Sequence, residues 1–145
     1  MAKLKVSVDV PLSPEKAWAH TSNLSELDQW LTMHEAWRSE VPAELTEGST
    51  LVGVATVKSF RNRVTWTVEK VEAPRRLKLR GAGKGGTKLG LELLVAPKGS
   101  GSEVTVDIDL GGRPLFGPIG TTVARAIKGD IEKSLDKFVT LYGEK

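Results

Sequence analysis

Apolar side chains recur with a period of two along most of this chain and with a period near 3.6 at its end. Leu4, Val6, Val8 and Val10 alternate with Lys3, Lys5, Ser7 and Asp9, which predicts a half-buried strand with its even residues inward. Val64, Trp66 and Val68 alternate in the same way with Arg63, Thr65, Thr67 and Glu69, and Leu77 and Leu79 with Lys78 and Arg80. Leu89, Leu91 and Leu93 alternate with Gly90 and Glu92, and Val104, Val106, Ile108 and Leu110 with Glu103, Thr105, Asp107 and Asp109. Residues 50–59 are β-branched and mostly apolar, so they predict a further strand. The segment 33–41 is ambiguous; Trp37 suggests a short strand there, closed by Pro42. Turns are predicted at Glu47-Gly48, at Phe60-Arg61-Asn62 and around Pro74, with hairpin-like connections at 81–86 and 98–102.

The period changes over residues 114–142. Ile119, Val123, Ile127, Ile131, Leu135, Phe138 and Tyr142 recur at steps of three and four, which puts them on one helical stripe. Arg125, Lys128, Asp130, Glu132, Lys133, Asp136 and Lys137 fill the other faces. A helix over that span is on the order of 40 Å long. Gly111-Gly112 ends the last strand, and Gly117-Pro118 should distort or delay the first turn.

Two short helices are predicted near the start. Ser13-Pro14-Glu15 is an N-cap, a proline at the first helical position and an acid in the first turn, opening a helix to about His20. Ser25 is expected to cap a second through Leu31. The order is strand, two short helices, about six strands, then the long helix. Short connections imply antiparallel neighbours, so the predicted fold class is α+β: a curved antiparallel sheet of about seven strands wrapped round the terminal helix. No linker or repeat interrupts residues 1–145, and a single domain is expected.

Composition narrows the chemistry. The absence of cysteine removes thiol nucleophiles, Cys-based zinc sites and disulfides together. No apolar signal core follows Met1 and no apolar run reaches spanning length, so a cytoplasmic protein without a membrane span is expected. The net charge of +3 is unevenly spread: residues 58–88 carry ten Lys/Arg against Glu69 and Glu72, a local +8 that leaves −5 for the rest. Such asymmetry fits either a solvated strand face or an anionic partner, including an acidic protein. The basic positions lack interleaved exposed aromatics, which argues against nucleic acid.

Residues 81–86 read G-x-G-x-x-G, but a strand follows where a dinucleotide fingerprint needs a helix, so this is a hairpin loop. Walker A spacing is absent. His20 and His34 are the only histidines, with no metal-ligand spacing around them, and neither a metal nor a cofactor is expected. No Ser sits in a G-x-S-x-G elbow. Asp107 and Asp109 share a strand face but alternate with apolar residues, so they are expected to face solvent.

The order of elements resembles the helix-grip fold of the START/polyketide cyclase (SRPBCC) superfamily. Residues 8–18 look like its opening strand, proline turn and Trp-bearing helix, and residues 24–30 like its second short helix. Residues 66–77 look like its Trp-bearing hairpin with a closing Pro-x-Arg-Leu, and residues 112–135 like its glycine break and long helix. The likeness spans essentially the whole chain and is nearest to small actinobacterial members, some labelled toxins of type II toxin–antitoxin pairs.

The resemblance implies a cavity between sheet and helix that holds an apolar or amphipathic molecule, lipid- or polyketide-like. Candidate lining residues are the aromatics Trp30, Trp37, Phe60, Trp66 and Phe116, with Met33, His34 and Arg63, and Ile119, Val123 and Ile127 from the first half of the helix. For each aromatic taken singly, ordinary core is the commoner outcome. His34 reads as a polar ligand contact, as a general acid/base, or as a rim residue without a role. Carrier, cyclase/dehydratase-like enzyme and toxin component acting through a partner all stay open at this point, as does the oligomeric state.

Overall fold

The computed structural model describes residues 2–42, 44–57, 60–111 and 118–143. Its strands are β1 (Ala2–Val10), β2 (His34–Trp37), β3 (Thr50–Val57), β4 (Phe60–Glu72), β5 (Arg76–Ala82), β6 (Lys88–Lys98) and β7 (Gly101–Gly111). The helices are α1 (Pro14–Thr21), α2 (Leu27–Trp30) and α3 (Pro118–Phe138). These strands form one antiparallel sheet in the order β1-β7-β6-β5-β4-β3-β2. The sheet curls into a half-barrel, and α3 lies across it against β1, β7 and β3.

Alternation does what the sequence requires of it. Val64, Val68, Leu77, Leu79, Leu93, Val104, Val106, Ile108 and Leu110 are all buried, and their alternating neighbours point to the outer face. On α3 the stripe of Ile127, Ile131, Leu135 and Phe138 is buried against that layer. The α-helix is shorter than its apolar pattern: it begins at Pro118 and gives way to a π-helical turn over Val139–Gly143, so its length is about 30 Å. Ring contacts tie that turn down. His20 stacks on Tyr142 at 4.0 Å between centroids, Tyr142 meets Phe138 edge-on at 5.0 Å, and Phe138 meets Trp30 edge-on at 5.1 Å. Burial, and then the Glu26 and Asp28 carboxylates, push the Tyr142 phenol up to about 12.

At α1 the expected cap is present: Ser13 Oγ accepts from the Lys16 N–H at 3.3 Å, with Pro14 at the first position. Two local expectations are corrected. Ser25 does not cap the second helix; it sits inside a 3₁₀ turn, Leu24–Glu26, where its Oγ donates to Asn23 Oδ1. That turn leads into α2, which ends at Trp30. Phe60, Arg61 and Asn62 do not make a turn either. They open β4, paired with Val57, Thr56 and Ala55, and Arg61 is held by an ion pair to Glu35 on β2.

Candidate functional site

Two short stretches and five strands converge between the sheet and the helical layer. Leu27 and Leu31 come from α2 and its end, and Met33, His34 and Trp37 from the segment that becomes β2. Ala55, Trp66, Leu79, Leu91 and Ile108 come from inward positions of β3 to β7. Between them is a cavity of about 20 Å³, room for a single water.

Two glycines make space for its rings. A Cβ on Gly53 would lie 3.0–3.1 Å from the Trp37 and His34 rings, and one on Gly81 would lie 2.8 Å from Trp66 and Val64. Each glycine stands directly across the ladder from its tryptophan, Gly53 from Trp37 and Gly81 from Trp66. A missing side chain in a strand is thus filled by a neighbour's aromatic ring. Trp37 is fixed further by its Nε1–H, which donates to the Leu24 carbonyl at 2.7 Å.

His34 is the one titratable group among the described lining residues. It is buried, its ring 4.3 Å from that of Trp37. Its Nε2 is shut off from solvent and has no hydrogen-bond partner among the described residues. Burial holds its pKa below the ordinary 6.5, and the Asp28 carboxylate opposes that shift only in part. The ring is therefore a neutral imidazole at neutral pH, with one N–H and one lone pair.

The segment carrying it is pinned on both sides. The Thr56 N–H donates to the Met33 carbonyl at 2.7 Å, and the Thr32 N–H donates to Ser134 Oγ on α3 at 2.8 Å. Ser134 is fully buried and also donates to the Asp130 carbonyl at 2.7 Å.

Of the residues named from sequence, Met33, His34, Trp37 and Trp66 come together here. Trp30 is buried but packs on Phe138, and Ile127 is buried in the helix–sheet core. Val123 is half-buried and Arg63 exposed, and neither lines the cavity. Phe116 lies outside the described residues, and only the backbone is described at Phe60 and Ile119. The lining residues the sequence reading missed are mostly inward leucines, Leu27, Leu31, Leu79 and Leu91. Strand alternation marks the two on β5 and β6 as inward, without separating a void wall from solid core.

The outer face of the sheet alters the picture of the basic segment. Arg76 pairs with Glu92 and Glu72, and Lys78 and Arg80 both pair with Glu69. Asp107 lies across from Glu92, and Asp109 from Gly90. Asp107 and Asp109 are half-buried on this face, not fully solvent-facing, and one Asp109 oxygen is covered without a hydrogen-bond partner. A run of positive charge along the chain thus folds into alternating stripes of both signs. Among the described residues no cluster of His, Cys, Asp or Glu could hold a metal, and no helix is long and apolar enough to cross a membrane.

Residues 1–143 match the polyketide cyclase / dehydrase and lipid transport family. The chain belongs to that family. It is 53% identical over 143 residues to the uncharacterized protein Rv1546 of Mycobacterium tuberculosis, covering 99% of this chain and 100% of that one. It is 46% identical over 142 residues to a protein of the same organism named toxin Rv0910, covering 98% and 99%. Among solved structures, a START superfamily protein from Mycobacterium smegmatis superposes with a TM-score of 0.77 at 19% identity, over 96% of this chain and 97% of that one. That last likeness shows the START-like fold and nothing about a ligand.

Proposed function

We propose that this protein binds a small apolar or amphipathic molecule in the cavity bounded by Met33, His34, Trp37 and Trp66. The observation that carries the reading is an apolar cavity lined by His34, whose buried Nε2 has no hydrogen-bond partner among the described residues, in a fold whose family description includes lipid transport. As it stands the space has room only for something the size of a water, so a ligand enters by displacing lining side chains. Met33, unbranched and with three rotatable bonds, is the wall residue that moves at least cost. A cyclase-like reaction would need a second acid or base beside His34, and among the described residues no other titratable residue lines the cavity. Native mass spectrometry of protein purified from cells tests the reading. It is supported by a stoichiometric adduct that organic solvent extracts and that is absent when Trp66 or Met33 is replaced by a charged residue. A bare mass under gentle conditions, with no apolar compound taken up on addition, overturns it.

A second reading comes from the relative named toxin, which this chain matches over nearly its full length. On that reading the protein arrests growth through a macromolecular partner. Induced expression in a mycobacterial host is the check. Arrest that persists in a His34→Phe variant assigns the effect to a surface other than the cavity, and unimpaired growth removes this reading.

A further inference from the structure

We propose that His34 is the polar anchor of the cavity, and that the molecule it takes is apolar with one uncharged hydrogen-bonding oxygen, an alcohol, phenol or ketone, and not a carboxylate. This rests on the reading of the cavity as a ligand site and narrows its chemistry.

The Nε2 of His34 is cut off from water and has no partner among the described residues, so the fold as described carries the cost of an unmade hydrogen bond. A ligand oxygen that supplies the missing partner recovers that cost, which an oxygen meeting only leucine and tryptophan would not. The cavity's own size does not solve the problem with water. A buried water typically makes two to four hydrogen bonds, and beyond His34 the described lining side chains are aliphatic, thioether or aromatic; of the two tryptophan indoles, that of Trp37 is already committed to Leu24, which leaves the Trp66 N–H as the one other polar side-chain group in the described lining.

The charge state decides between neutral and anionic ligands. A carboxylate brought into this cavity loses its hydration and finds a neutral ring, not a cation; an uncharged hydroxyl or carbonyl loses far less and needs only one bond. Arginine or lysine would be the residue to hold a carboxylate. Arg63, the basic residue nearest to Trp66 on β4, alternates to the outside and is exposed. The geometry is also held ready. The ring is fitted over Gly53 and against Trp37, and its own N–H on the backbone donates to the Leu31 carbonyl at 2.9 Å. Nε2 therefore has little freedom to relax toward another partner in the absence of ligand, which is the condition for an anchor to add selectivity.

The experiment uses three probes of one ring skeleton: naphthalene, 2-naphthol and 2-naphthoate. Affinities are read by fluorescence titration near pH 7.5, with the His34 nitrogen shifts followed by NMR in the wild-type protein. The expected result is that 2-naphthol binds at least tenfold more tightly than naphthalene or 2-naphthoate and moves the Nε2 resonance, while naphthalene leaves Nε2 little changed. In His34→Phe the preference for 2-naphthol over naphthalene disappears; in His34→Gln, which keeps an uncharged hydrogen-bonding group, part of it remains. The NMR readout stands even if the Phe variant fails to fold. Binding of naphthalene with no preference for 2-naphthol, or a preference for 2-naphthoate, overturns the anchor and leaves the cavity reading in place. Failure of all three probes to bind the wild-type protein overturns both.

Discussion

The backbone N–H of Thr32 donates to Ser134 Oγ at 2.8 Å, across 102 residues of sequence. This bond fastens the segment that carries Met33 and His34 to the buried face of α3. The Thr32 hydroxyl adds longer contacts to Ser134 Oγ at 3.2 Å and to the Asp130 carbonyl at 3.3 Å. Replacing Ser134 by alanine leaves the Thr32 N–H without its acceptor. The variant is expected to lose about 1–2 kcal/mol, the cost of an unsatisfied donor partly offset by alanine's better helix propensity. Urea denaturation checks it, and an unchanged midpoint with an unchanged slope would mean the bond contributes nothing net.

Phe138 is the hinge of the ring cluster, fully buried and edge-on to both Trp30 and Tyr142. Phe138→Ala is expected to cost about 3–5 kcal/mol in equilibrium unfolding, as buried aromatics do when a void is left behind. A near-neutral variant would show that the end of α3 contributes little to holding the sheet.

Acid should weaken the fold through His34. Burial keeps its folded pKa below the ordinary 6.5, so on acidification the unfolded chain takes up this proton first. Its stabilising contribution is complete above 6.5 and is lost as pH falls from there through the lower folded value. Melting temperatures between about pH 7.5 and pH 5 should therefore fall more steeply for the wild type than for His34→Phe. His20 is present in both, so parallel curves would contradict the burial of a neutral His34.

What the sequence makes legible is whatever has a local period. Leu77 and Leu79, Val104 to Leu110, and the stripe from Ile127 to Phe138 occupy the layers their spacing predicts. The exceptions are decided by partners far along the chain. Arg61 and Asn62 look like turn residues because they are polar, yet they lie in β4 because Thr56 and Ala55 pair with them. Ser134 interrupts the charged and apolar pattern of α3 without an evident reason until Thr32 is placed against it. The basic run of 58–88 looks like a cationic face until β6 sets Glu92 beside Arg76 and Lys78. The cavity is the least legible feature. It is a small difference between two large packed volumes, and Trp66 or Leu79 would have the same sequence signature in a solid core.

Met33 offers the most direct measurement, because it lines the cavity and the chain has only two methionines. Protein labelled with carbon-13 in the methionine methyl groups can be titrated with naphthalene and followed by NMR. Saturable binding that shifts the Met33 methyl through the aromatic ring current is the expected result. Binding that leaves Met33 unmoved, or no binding up to the solubility limit, would contradict a ligand cavity between the sheet and α2.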